Sequence, residues 1–578
     1  MKLRKSIRVS FIKHRSRAVL AFCAMFLVFM LGIPHPPTAV HSQEPEKQDQ
    51  ENKEEPEKLV PEEFKDQIPY LSSVPAELAA RSLGMTEIMG KPFDESEAKL
   101  RGLAQLRGLN LLTDRSALQT AQVPSIGANV GIGTDPTAQE NEPTVVANPQ
   151  NEQLMVAGSH RIPSTPPLGV RCLAFTSSDG GSSWSAPFEM PHLTPQSTCS
   201  DPVLAYAPDG NRVYYAYMDI KPPSLGGFDI VVSYSNNNGQ TWIGPILALD
   251  GSGLGPFAIQ YDKPWIGTHV DVPGTQFNNN FVYLTATAFR VAAPPSPVPR
   301  ISIAFTNSFN QGVSWGTGRI LDTVADPTFP NSQQVIQASR PVGGLGNDVV
   351  VAWYSSGTDG WLNGGFEIRT ARSANNGSTF SPVVVAASDT FEVPFDLGPL
   401  SSFHRWWITM GPDVEIDTSG VAHIVYTHDP VAGSTTAEDG DIRYVSSAGR
   451  PYDVWTSPTT ISDDASGQAQ GYPALETIGG AAHVIFEDHR LSPFPAANIL
   501  YDIFYTQNAG GGWEANSRVT DASSISEFTF IGDYNDLTAR PASGSSLIFG
   551  IWTDRRDKIS LFDFEDDVWG ARISPSGT

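Results

Sequence analysis

One short pattern constrains this chain more than any other feature: Ser or Thr, then Asp or Asn two residues on, Gly four on, and an aromatic seven on. It occurs as Ser177-Asp179-Gly181-Trp184, Ser235-Asn237-Gly239-Trp242, Ser308-Asn310-Gly312-Trp315, Ser373-Asn375-Gly377-Phe380 and Thr506-Asn508-Gly510-Trp513, with a degenerate sixth copy ending at Trp455. The aromatics fall 58, 73, 65, 75 and 58 residues apart. A recurring unit of that length argues for an array of similar sheets, about one four-stranded propeller blade each. The chemistry is that of a turn. A short side-chain oxygen accepts backbone N–H groups, Gly supplies positive φ, and the aromatic packs on a sheet.

The segments between the turns read as strands. First strands open near Glu142-Pro143, Asp201-Pro202, Asp262-Lys263-Pro264, Arg340-Pro341, Pro412-Asp413, Tyr472-Pro473 and Asp533-Tyr534. Apolar second strands follow, such as Val213–Tyr217 and Val349–Trp353, and third strands begin with an acidic residue and Ile or Val, as in Asp229-Ile230 and Asp502-Ile503. The expected fold is therefore all-β, with seven repeated units over residues 123–578 and six units plus an extra sheet as the alternative. The seventh unit shows only three strands of its own. The Gly-rich segment Ser125–Gly133 is expected to supply the fourth and hide an open edge. Charged residues at 17% with Gly 51 and Pro 46 suit short strands and tight turns.

The turns resemble the Asp-box (BNR) repeats of sialidase-like β-propellers, and the resemblance spans about 450 residues. It implies that Asp179, Asn237, Asn310, Asn375 and Asn508 are structural, on the face opposite the site. Four of the five are Asn, which keeps the acceptor and drops the charge, so an acid–base or metal role does not fit them. It also implies a glycan or glycoconjugate as partner, and an exo-glycosidase of sialidase type as the activity. The other reading is a binding or scaffolding propeller without catalysis. Catalytic sialidase domains have six blades, so the seventh unit is a departure.

The N-terminus reads as an export signal over residues 1–42. Seven Lys/Arg precede an apolar run from Ala18 to Ile33, too short for an ordinary span, and Val40 and Ser42 suit cleavage before Gln43. An uncleaved anchor is the alternative; either way the body lies outside the cytoplasm. Residues 43–66 hold ten acidic residues and four Lys and are expected to be a disordered linker. Residues 67–122 are expected to form a short helical appendage, with helices over 75–83 and 94–112. After cleavage only Cys172 and Cys199 remain, and an oxidising compartment favours their pairing over two free thiols. With a formal net charge of −24 the chain repels nucleic acid. No cofactor or metal is implied by its motifs.

The candidate site residues lie on loops between second and third strands and between units. Arg490 and Arg556 close an aromatic-x-Asp-x-basic pattern, at Phe486-Asp488-Arg490 and Trp552-Asp554-Arg556, and are candidate anion clamps that also read as structural ion pairs. Arg340 and the run Arg405-Trp406-Trp407 are candidates for holding and stacking a sugar. The sialidase resemblance implies three Arg on a carboxylate, a Tyr nucleophile activated by Glu, and an Asp acid/base. Here it points to Tyr534, with Glu142 or Glu487 as partner, and to Asp533. His160-Arg161-Ile162-Pro163 looks similar to the family's Arg-Ile-Pro motif, but it ends a second strand and so is not assigned.

Overall fold

The computed structural model describes residues 124–575, except 164–168, 222–226, 253–257, 270–278, 291–299, 326–333, 358–363, 390–410, 431–439, 493–499, 526–530, 543–544 and 557–565, together with a backbone pairing of Glu87–Ile88 with Lys91–Pro92. The export signal, the acidic linker, the two helices and Arg405, Trp406 and Trp407 lie outside the described residues.

Among the described residues from 124 onward, all regular structure is β-strand. Four consecutive strands pair antiparallel in chain order, and this arrangement repeats with first strands Ala138–Asn148, Thr198–Tyr206, Ile259–Gly267, Ile336–Gly343, Asp413–Ile416, Gln470–Ile478 and Asp536–Ala542. Each first strand contacts that of the next unit, and Asp536–Ala542 contacts Ala138–Asn148, so the circuit closes. This is the arrangement of a β-propeller. The second and third units also touch edgewise through one parallel bridge, Phe228 to Gln260.

The sheets sort by depth. Second strands such as Val349–Ser356 are buried along their whole length, which explains their unbroken apolar runs, because both faces pack on neighbouring sheets. Fourth strands such as Ile243–Leu249 are largely exposed at the rim. In the last unit the fourth position is filled from the other end of the chain. Ser125–Ile126 pairs with Ile573 and Ser574, and Val130–Gly133 pairs with Val568, Trp569 and Gly570.

The repeated turns are built alike in four copies. Ser177 Oγ accepts from the N–H groups of Asp179 (3.3 Å) and Gly181 (2.9 Å), and Asp179 Oδ1 accepts from Ser183 N (2.9 Å). Ser235/Asn237, Ser308/Asn310 and Ser373/Asn375 repeat this geometry. The fifth copy differs: Asn508 Oδ1 itself accepts from Gly510 N and Gly512 N, taking the role Ser plays elsewhere. Gly377 shows why the turn glycine is needed, since its φ is 80° and a Cβ there would meet the Phe305 ring of the preceding unit at 2.5 Å. The turn aromatics pack across the same seam: Phe380 lies 4.8 Å from Phe305, and Trp513 4.9 Å from Tyr444. The turns therefore weld each unit to its predecessor. A further weld is the Cys172–Cys199 disulfide, Cα–Cα 5.7 Å, between the first unit's third strand and the second unit's first.

Candidate active site

First-to-second and third-to-fourth hairpins share one face, so the starts of the first strands lie on the opposite face with the ends of the second strands. Asn141 pairs there with His160, and Gln470 with Asp488. At this level the inner strands share an unusual device. Glu142, Asp201, Lys263, Ala338 and Tyr472 all have φ between 47° and 55°, each where the ladder slips its register. Four of the five precede proline, which has no N–H for the bulge to orphan. Left-handed backbone at bulky residues costs on the order of 1 kcal/mol each, a strain typical of functional positions. Gly532 (φ 96°) of the seventh unit packs against this level, where a Cβ would come within 2.9 Å of Glu142 N.

Three of these bulge residues carry charge and meet. The Glu142 and Asp201 carboxyls share a hydrogen bond, and both are sealed from solvent. Burial, then the charge of Asp533, pushes Glu142 up to about 7. Burial, then Glu142, pushes Asp201 up to about 8. One carboxyl must hold a proton for the other to accept it, so the pair acts as a proton-sharing dyad near neutral pH. Lys263 N donates to Asp201 Oδ2 (3.1 Å), and Lys263 Nζ is ion-paired with Asp533. Burial opposes the ammonium charge, but the surrounding carboxylates outweigh it and Lys263 stays protonated. His160 Nδ1 stands 3.0 Å from Glu142 Oε2, and burial pushes the imidazole down to about 4, so it is neutral.

The other candidates fall in different places. Asp533 joins the cluster through Lys263. Tyr534 lies beside it, but its hydroxyl donates to the Pro202 carbonyl (2.8 Å) rather than to a carboxylate. Burial, then Glu142 and Asp201, pushes that phenol well above its ordinary value, the reverse of what a nucleophile needs. Glu487 is buried one step away, its Oε1 accepting from Asn535 (3.2 Å) and its pKa pushed by burial up to about 8. Arg340 reaches the centre with its guanidinium 3.5 Å over the Trp265 ring, paired to Asp413 at 2.6 Å.

Arg490 and Arg556 do not reach the centre as free clamps. Arg490 holds Asp488 (2.7 Å) and Asp463 (2.7 Å) and lies over Phe504; Arg556 holds Asp554 (2.7 Å) and Asp521 and lies over Trp569. Each then donates to one asparagine, Asn516 and Asn129 respectively, which bridges to the preceding unit. Arg161, of the Arg-Ile-Pro segment, pairs with Glu140 and with Asp135 (3.3 Å).

Sequence reasoning missed Asp201, Lys263 and His160. The signal was present: the residue before proline recurs in place while its chemistry changes from Glu to Asp to Lys to Tyr. It served only to mark strand starts.

No known family profile matches the sequence, and no curated protein matches it. Similar solved structures include an α-L-arabinofuranosidase of Fusarium graminearum in complex with arabinobiose, at 13% identity over 78% of this chain and 97% of that one, TM-score 0.42. An ulvan lyase follows at 11% identity, 77% and 96% coverage and TM-score 0.41, and a Dyadobacter fermentans protein of unknown function at 13%, 78% and 99%, TM-score 0.40. At these values the likeness carries no activity to this chain.

Proposed function

We propose that this chain is an exported, seven-bladed, sialidase-like propeller that acts on glycans by acid–base chemistry at Glu142 and Asp201. One observation carries the reading: two hydrogen-bonded carboxyls, buried together so that burial pushes both up, held by left-handed backbone on the face away from the turns. The proton shared by the pair can be given to a departing glycosidic oxygen, with the ionised member holding the acid in place; the two carboxyls are too close to work on opposite faces of a sugar, where glycosidases keep theirs about 5 Å or more apart. Lys263 keeps the ionised member charged. The sialidase-type version of this chemistry needs arginines free for a carboxylate, and Arg340, Arg490 and Arg556 are each already paired.

A second reading, sugar binding without turnover, is favoured by the closure of the dyad, since neither carboxyl reaches solvent. A release assay on a panel of glycosides and oligosaccharides separates the two. Glu142→Gln and Asp201→Asn should each lower release by about 100-fold or more, as loss of a general acid or base does. Binding without release by the unaltered protein supports the second reading. Neither binding nor release across the panel removes glycans as the substrate class.

A further inference from the structure

We infer that the sugar residue taken at the centre of this face is uncharged. The inference rests on the glycan reading above and narrows it. An acidic sugar is held by a cation whose charge is not already met, and among the described residues the cations around the centre each lie against a carboxylate. Lys263 is paired with Asp533, and Arg340 with Asp413 at 2.6 Å. Around them Lys221 pairs with Asp229 at 2.7 Å, Arg555 with Asp566 at 2.9 Å, and Arg490 and Arg556 with Asp488 and Asp554 at 2.7 Å each. Every one of these positive charges is cancelled by a carboxylate in contact. A sugar carboxylate would either displace that partner, leaving a buried carboxylate unpaired, or sit as a further anion on a charge already met, and neither gains much.

The exposed cations Arg290 and Arg300 stand opposite each other, at the strand level of Ile259. That is four residues, about 13 Å of strand, before Lys263. They belong to the rim.

What the centre lacks is hydrogen-bond partners of a neutral kind. Glu487 Oε2, Asp533 Oδ1 and Gln337 Oε1 are buried with no hydrogen-bond partner, although Gln337 Nε2 donates to Asp262 (3.0 Å) and Glu487 Oε1 accepts from Asn535. Buried groups of this sort call for partners that can both donate and accept, as hydroxyls do. A pyranose or furanose bearing only hydroxyls supplies them and adds no second negative charge beside the Glu142–Asp201 pair, whose own charge is left over once Lys263 and Arg340 are paired.

The test uses the Glu142→Gln protein, in which turnover does not confuse binding, and titrates it with neutral oligosaccharides (lactose, arabinobiose, cellobiose) and acidic ones (sialyllactose, a glucuronyl disaccharide). The neutral set should bind at least about ten-fold more tightly than the acidic set, the scale of one unfavourable charge placement. Asp533→Asn, which frees Lys263, should narrow or reverse that gap; Asp413→Asn, which frees Arg340, serves if the first variant does not fold. Acidic sugars that bind Glu142→Gln as tightly as neutral ones overturn the inference and leave the glycan reading standing. Binding by neither set, in a protein that melts cooperatively, overturns both.

Discussion

Replacing Asn129 by Ala tests how the circuit is closed. Asn129 sits on the N-terminal segment that completes the last sheet. Its Oδ1 accepts from Asp521 N (2.8 Å) and Arg556 Nη2 (2.8 Å), and its Nδ2 donates to Val519 O (3.0 Å). Two of these bonds are neutral, at about 1 kcal/mol each, and one is to a guanidinium, at about 2 kcal/mol. Arg556 keeps Asp554 and Asp521, and the half-buried site lets water reach the freed backbone groups, so the net loss should be about 2 to 3 kcal/mol. Asn516 provides an internal control. It makes the same three contacts, to Arg490 Nη2 (3.1 Å) in the sixth unit and back to Asp463 N (2.7 Å) and Ile461 O (3.0 Å) at the end of the fifth. Hydrogen exchange read by mass spectrometry should show Ser125–Gly133 opening roughly 30-fold faster or more in Asn129→Ala, from about 1.4 kcal/mol per decade. Asn516→Ala should leave that segment unchanged. If exchange at Ser125–Gly133 is the same in the unaltered protein and in Asn129→Ala, the segment is not latched in the way described.

Four further outcomes are expected. The Glu142 and Asp201 pKa values are raised on folding, so their contribution is present below about pH 4.5 and lost as pH rises through about 7 to 8; Glu142→Gln should therefore melt higher than the unaltered protein at pH 8.5 and not at pH 4.5, and equal shifts at both would refute the assignment. The disulfide spans a sequence separation of 27, worth about 3 to 4 kcal/mol on the loop-entropy estimate, so Cys172→Ser with Cys199→Ser should lower stability by that order, and the exported chain denatured without reductant should show no reactive thiol. Asn237→Ala removes contacts to Thr241 N (3.0 Å) and Thr241 Oγ1 (2.9 Å) and should cost about 1 to 2 kcal/mol in a denaturant titration without altering sugar affinity. Tyr534→Phe should leave glycan release within a few-fold of normal, since its hydroxyl serves the Pro202 carbonyl; abolished release would return the nucleophile role to it.

The repeated turns, the strand starts and the completion of the last sheet by Ser125–Gly133 were legible because each depends on local chemistry. A Ser-x-Asn-x-Gly turn, an X-Pro bulge or a Gly-rich strand needs only its own neighbours. The acidic residue that opens the third strands was legible too, and its purpose emerged in three dimensions: Asp502 accepts from Thr520 Oγ1 (2.6 Å) and Ser523 Oγ (2.8 Å), tying that strand to the connection leaving its own sheet. The centre was only half legible. Glu142 and Asp533 could be named singly, but they meet because the circuit closes across nearly 400 residues, and no local pattern encodes that. Asp201 and Lys263 were hidden by their own regularity, since a position that recurs looks architectural until its side chains are seen to converge. Arg490 and Arg556 showed the opposite effect, as sequence cannot reveal that a guanidinium's donors are already used by Asp463, Asp521 and two asparagines.

Completion of the last sheet by Ser125–Gly133 also sets an order of events. A chain that emerges from its N-terminus releases this strand before the other strands of the circuit, yet its partner Asp567–Ser574 only after all of them. Until then the segment has no edge to join, and the first and seventh units have no shared seam. Six sheets can stack one on the next while the chain is still being delivered, but the circle is finished in a single late step. The strand Asp567–Ser574 thus holds a veto over the whole: a chain cut short before Asp567 should carry nearly all of its core and still present open strand edges to its neighbours.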